Sequence, residues 1–289
     1  MPPLTPTIIS KSAFLQTLSR YPSTVPAKLH DLDEQRYTSI PALVTARRQS
    51  SNTATTTNND NNNSSSSSAY LTKLEVLNLV EWKLKHGTFR PKLLQLVASN
   101  AESLVEDTTR EAFSTLSSSS SPMTTSEDIL AALKILTALK GVGPATASLF
   151  LSVYEPERVP FFSDELFRWV MWEEPISPVS LPSWKRGIKY TAKEYAEVVG
   201  RVEAVRERLG VRAVECERVA WVLGREGVNV GGGRDEEGER DKDGEVEAKI
   251  EEGESKAEGK VERKKGTKRK AASEGKAAIE GTRRSSRRK

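Results

Sequence analysis

The sequence predicts an all-helical protein. Three observations carry that expectation. Apolar residues recur at helical spacing in several segments, glycine and proline stand where those segments stop and start, and there is neither an Asn-Gly hairpin nor a sustained apolar–polar alternation. Residues 8–18 form a short apolar stretch that Tyr21-Pro22 is expected to stop. Residues 71–84 carry Leu71, Leu74, Leu77, Val80 and Leu84 at helical spacing, and His86-Gly87 supplies an end. Pro91 then opens a helix bearing Leu93, Leu94, Leu96 and Val97, as suits proline in a first helical turn. Thr125, with Asp128 three residues on, reads as a capping box, and Ile129, Leu133, Leu136 and Leu139 form the stripe behind it. Residues 194–209 place Tyr195, Val198, Val199, Val202, Val205 and Leu209 on one face. Residues 213–223, with Val214, Val219, Trp221, Val222 and Leu223, close the domain.

Composition divides the 289 residues. Residues 49–69 are a Ser/Thr/Asn tract, residues 117–121 are five serines, and beyond about Gly227 the chain is Gly, Glu, Lys, Arg and Ser with few apolar side chains. Such stretches cannot bury enough apolar surface to offset the entropy of ordering, so disorder is expected there. The expected organisation is an N-terminal helical segment (1–48) packing on the core, a disordered insert (49–69), a helical domain (70–226, with a disordered loop at 115–124) and a disordered tail (227–289). Roughly 190 residues remain to build one core or two small lobes.

The net charge of +4 conceals an asymmetry. Residues 231–258 hold 12 acidic and five basic side chains, residues 259–289 hold 13 basic and three acidic, and the first 230 residues carry only +1. A basic tail gives salt-dependent, sequence-independent attraction to nucleic acid. Its clusters at 264–270 and 283–289 read as nuclear-import signals, with a plain solubilising tail as the alternative. The lone Cys216 excludes an internal disulfide framework, a Cys-ligated zinc and an iron–sulfur cluster. His30 and His86 lie far apart, which argues against a conventional zinc site, while a carboxylate-only Mg²⁺ or Ca²⁺ site stays open. No metal ligand set and no cofactor is assigned. No apolar run reaches the length of a membrane span, and the N-terminus lacks a secretory pattern, so a nuclear or cytosolic compartment is expected and no membrane partner.

The segment 133–151 carries the most chemistry. Two apolar helices are joined through Leu139-Lys140-Gly141-Val142-Gly143-Pro144-Ala145-Thr146-Ala147. Gly141 is expected to end the first helix and Gly143 to begin the second, with positive φ available at either. Val142 plugs into the helix pair, and Pro144 falls at N1, where its missing N–H costs nothing. The amides of the second helix then present the positive end of the dipole, a ready anion site, with Lys140 beside it. Ala145, Ala147 and Ser148 are small enough for the helices to cross closely.

This pattern resembles the helix–hairpin–helix motif Leu-x-Gly-Val-Gly-x-x-Thr-Ala of the DNA glycosylase superfamily, matched at Leu139, Gly141, Val142, Gly143, Thr146 and Ala147. The alternative is an ordinary tight αα-hairpin, or one that binds protein. The resemblance covers residues 71–223, with specific motifs only in 139–170, and the pattern is most similar to that of the Amun-like group of nuclear glycosylase-like proteins. It implies DNA contacts by Lys140, Gly141, Val142, Gly143, Ala145 and Thr146. It also implies a catalytic carboxylate about twenty residues on, where Asp164 lies 21 after Gly143, with Glu165 beside it. Such a carboxylate stabilises the cationic sugar as a base departs, or activates water. Ser163 and Asp164 are equally favoured helix caps. Two departures bear on the chemistry. The superfamily's lysine nucleophile falls at Ala145, so lyase chemistry by that route is not expected, and its usual histidine falls at Leu166.

Aromatic side chains that can stack on a flipped base are Trp82, Phe162 and Trp169, with Phe89, Phe161 and Trp172 as further candidates; core packing is the common role for each. Lys83, Lys85 and Arg90 either line a phosphate track or decorate a solvated helix end. Two functions stand open. One is a nuclear DNA-binding protein acting as a monofunctional glycosylase on damaged bases. The other is a non-enzymatic module on the same scaffold, either chromatin- or DNA-binding, which the missing lysine and histidine favour, or protein-interacting, which the near-neutral ordered region favours.

Overall fold

The computed structural model describes residues 3–54, 69–88, 90–117, 125–174 and 184–231. Among them the regular structure is helical: α1 (Lys11–Leu18), α2 (Tyr21–Thr24), α3 (His30–Glu34), α4 (Ile40–Ala54), α5 (Lys73–His86), α6 (Pro91–Ala98), α7 (Glu102–Ser117), α8 (Ser126–Leu136), α9 (Pro144–Tyr154), α10 (Asp164–Val170), α11 (Ala192–Leu209) and α12 (Ala213–Arg225), with no strand. The charged blocks at 232–289, both import-like clusters among them, lie outside the described residues, as do 55–68 and 118–124.

Helix starts follow side-chain chemistry. Thr72 with Glu75, Thr125 with Asp128 and Thr191 with Glu194 form reciprocal capping boxes on α5, α8 and α11, each satisfying amide donors that a helix leaves unpaired. Ser10 and Ser163 cap α1 and α10. α11 ends on Gly210 in the left-handed region at φ 62°.

At the centre lies α9, buried from Ala145 to Tyr154 on every side and packed by α4, α5, α7, α8 and α11. A helix apolar all round needs such enclosure. α10 packs on α12 and α11, and α1 and α2 pack on α12. The N-terminal segment is tied down along its length. Leu4 N–H donates to the Val230 carbonyl (2.8 Å), Trp169 Nε1 donates to the Leu4 carbonyl (2.9 Å), and Arg20 pairs with Glu226 (2.8 Å).

Several expectations are corrected. α1 does end at Leu18, ahead of Tyr21-Pro22, but Pro22 then falls in the first turn of a further short helix, α2, which was not expected. α4 runs to Ala54, past the expected start of the insert at residue 49, and Ala69 is fully buried. On α5 the buried face is Val76, Leu79, Val80 and Leu84, whereas Leu74 is 68 % exposed. α7 is an additional helix reaching Ser117; it buries Thr108 and Thr109 among apolar neighbours, which blurs its periodicity. α8 ends at Leu136, and Leu139 is buried within the turn that follows, so the first helix stops before Gly141. Val230 is fully buried, so the ordered domain continues past residue 226.

Candidate functional site

A cavity of about 130 Å³ opens where the start of α9, the start of α10, the end of α5 and the middle of α12 converge. Its rim is the α8–α9 connection. Gly141 has φ 77°, and a Cβ there would lie 3.0 Å from the Leu96 Cβ and 3.1 Å from the Val97 Cγ2, so both conformation and close approach to α6 demand glycine. Asn100, buried between α6 and α7, clamps the turn: its side chain donates to the Lys140 carbonyl and accepts from the Lys140 N–H, both at 3.0 Å. Val142 is buried beneath the turn. Gly143, the N-cap of α9, is exposed and extended (φ −98°), and a Cβ there would meet nothing within 4 Å. No side chain closes the N-terminus of α9, and Gly143, Pro144, Ala145 and Thr146 line the cavity. The Lys140 side chain is exposed and stands off the cavity wall.

At α10 the two capping candidates separate. Ser163 performs the capping, its Oγ accepting from Leu166 N–H at 3.1 Å. Asp164 instead faces the cavity, 23 % exposed, with Oδ1 accepting from the Tyr190 hydroxyl at 2.6 Å and Oδ2 lying 3.5 Å from the Arg168 guanidinium. Tyr190 is the non-glycine residue with positive φ among the described residues, at 55°. Such a conformation costs free energy and persists where surroundings impose it. Burial, then the Asp164 carboxylate, push the Tyr190 hydroxyl well above its ordinary pKa, so it stays a donor. Glu165 also lines the cavity, and burial raises its carboxyl pKa. It packs against Gly224 of α12, where a Cβ would approach its Cγ to 2.9 Å.

The inner wall is aromatic. His86 lies between Trp82 (centroids 4.4 Å apart) and Trp221 (4.0 Å), and Phe161 meets Trp82 edge-on at 5.6 Å. Asp33 organises this wall: one oxygen accepts from Trp82 Nε1 (2.6 Å) and contacts His86 Nε2 (2.9 Å), the other accepts from the Tyr21 hydroxyl (2.9 Å). Burial works against its charge, yet the hydrogen bonds from His86 and Trp82 hold its pKa below the usual value. α3 joins α4 through a π-helical turn, Gln35–Ser39. That turn places Arg36 and Tyr37 on Glu217: the Tyr37 hydroxyl donates to Glu217 Oε1 (2.8 Å) and buried Arg36 pairs with Oε2 (3.3 Å). Burial nevertheless raises the Glu217 carboxyl pKa. The Trp221 Nε1–H meets no acceptor among the described residues.

Lys83, on the cavity face of α5, donates from Nζ to the Thr146 hydroxyl at 2.9 Å. Burial, then the nearby charge of Arg90, push its ammonium pKa down to about 8, with Asp164 opposing them.

Of the residues expected at a site, the cavity therefore gathers Gly141, Gly143, Ala145, Thr146, Asp164, Glu165, Trp82, Phe161, Phe162, Lys83 and Arg90. Trp169 turns into the core against Phe14 and Leu4, and Trp172 packs on Trp184; both stand apart from it. Lys85 is exposed and pairs with Glu81, and Phe89 lies outside the described residues. Tyr190, Asp33, His86, Trp221 and Glu217 carried no site signal in the sequence. The His86-Gly87 helix end was legible, but its partner Asp33 is 53 residues away. Among the described residues no three His, Cys, Asp or Glu side chains gather as a metal site, and no helix is long and apolar enough to cross a membrane.

No protein-family model matches the chain, and neither the curated proteins nor the solved structures contain a match to it.

Proposed function

We propose that this is a nuclear DNA-binding protein of the helix–hairpin–helix glycosylase type that releases damaged bases from DNA. One observation carries the reading: Asp164, freed from capping by Ser163 and tethered by Tyr190, shares a cavity with the uncapped N-terminus of α9. A backbone phosphate seated on the amides after Gly143 leaves the adjoining sugar at the cavity mouth. A base rotated out of the duplex then meets aromatic faces, Trp82 and Phe162 among them. As the glycosidic bond breaks, the Asp164 carboxylate stabilises the positive sugar or activates water. Ala145 contributes no amine of its own at the helix start, and in this reading water is the acceptor as the base is released. The basic clusters at 264–270 and 283–289 add non-specific attraction to phosphate and suit nuclear import.

A second reading, a module without catalysis, is favoured by Leu166, and the charge of only +1 over the first 230 residues favours its protein-binding form. Base release from full-length protein on duplexes bearing alkylated, deaminated or oxidised bases separates the two. The glycosylase reading expects release from at least one duplex and a loss of about 10²–10⁴-fold in Asp164→Asn. Equal release by the variant rejects Asp164 as the catalytic carboxylate. No release from any duplex, with binding intact, favours the second reading.

A further inference from the structure

Lys83 is placed differently from the other lysines near the cavity. Its amine lies on the wall, bonded to the Thr146 hydroxyl, and no carboxylate pairs with it among the described residues. Lys85, by contrast, is exposed and paired with Glu81, and the Lys140 side chain is exposed off the wall. Lys83 is half-buried, and a partly desolvated lysine without a carboxylate partner is costly to keep charged. Thr146 sits in the first turn of α9, whose positive end further disfavours an ammonium. The groups around the cavity that carry or exchange charge are Tyr21 of α2, Tyr37 of the π-helical turn, Arg90 before α6, Asp164 and Glu165 of α10, Tyr190 before α11, His86 of α5 and Glu217 of α12. Of these, Arg90 lowers the proton affinity of Lys83 and Asp164 raises it.

We propose that Lys83 is an amine nucleophile that condenses with the C1′ aldehyde of a deoxyribose lacking its base. This rests on the DNA-repair reading of the cavity and extends it from base release to the abasic product. The Nζ lone pair attacks C1′, the carbonyl oxygen leaves as water with the two amine protons, and an imine joins protein to sugar. A base then removes a C2′ proton; Asp164 lines the same cavity. The C2′–H electron pair forms a C2′–C3′ double bond, the C3′–O bond breaks, and the 3′ phosphate departs. Water hydrolyses the imine and restores the amine. No oxidant or reductant is consumed. An amine whose pKa is pushed down to about 8 is roughly one-fifth neutral at pH 7.4, against about one in a thousand for an ordinary lysine. Lyase chemistry is thus supplied by α5, not by the helix start where Ala145 stands.

The test uses full-length protein, abasic-site duplex and borohydride, which reduces an imine to a stable adduct. Binding to the same duplex is measured alongside, and the adducted lysine is mapped by peptide mass spectrometry. The expected result is an adduct on Lys83, formed faster as pH rises through about 8. Lys83→Ala and the charge-preserving Lys83→Arg are each expected to reduce it by about 100-fold or more. Binding without an adduct, or an adduct mapped elsewhere and undiminished in both variants, overturns the role of Lys83 while leaving the DNA-binding reading intact. Absence of binding overturns both.

Discussion

Tyr190 and Lys83 each hold a conformation or protonation state that folding alone disfavours. Tyr190 adopts a left-handed backbone and donates to Asp164. No local pattern announces a tyrosine there, because its conformation is set by Thr191 capping α11 on one side and the cavity on the other. Asp164 stands at the distance after Gly143 that the resemblance implies, and Ser163, not Asp164, caps α10. For Lys83, the folded-state pKa of about 8 lies below its ordinary 10.5. The unfolded chain therefore binds more protons between those values, and stability rises with pH across that window. Lys83→Met is expected to stabilise the protein by about 1–3 kcal/mol at pH 7, a gain that shrinks from pH 8 toward 10.5. Denaturant unfolding at several pH values checks this, and a destabilised variant would show that the ammonium is well solvated.

At the scale of elements, the two glycines of the α8–α9 connection have different physical reasons. Gly141 combines φ 77° with contact to α6, so Gly141→Ala is expected to cost about 2 kcal/mol or more. Gly143 is extended with open space at its Cβ, so Gly143→Ala is expected to cost no more than about 1 kcal/mol, the difference between glycine and alanine as an N-cap. Thermal unfolding of the two variants checks the contrast, and equal losses would refute it. The opening of α9 was legible because Gly143 and Pro144 act locally. The end of α8 was not, since Leu139 keeps the apolar spacing of a helix while being buried in a turn. The apolar pattern of 71–84 likewise admits two faces, and packing against α3, α6, α7 and α9 selects the one that leaves Leu74 exposed.

Across the whole molecule, the cavity is assembled from segments far apart in the chain. Tyr21 and Tyr37 come from the N-terminal segment, Lys83 and His86 from α5, Asp164 from α10, and Glu217 and Trp221 from α12. The all-helical class was legible from periodicity, but the role of the N-terminal segment in the cavity wall was not. Contacts such as Asp33 to His86 or Arg36 to Glu217 leave no trace in local sequence. The central claim is that DNA is gripped where α9 begins, beside Asp164. Because Gly143 is exposed with open space around it, a side chain there adds charge without disturbing the fold. The most direct measurement is binding of full-length protein, Gly143→Ala and Gly143→Glu to an abasic-analogue duplex across a salt series, with undamaged competitor DNA present and circular dichroism verifying each fold. The account predicts salt-sensitive binding that Gly143→Ala retains and Gly143→Glu weakens by about tenfold or more. Binding by Gly143→Glu as tight as that of the unmodified protein would contradict it.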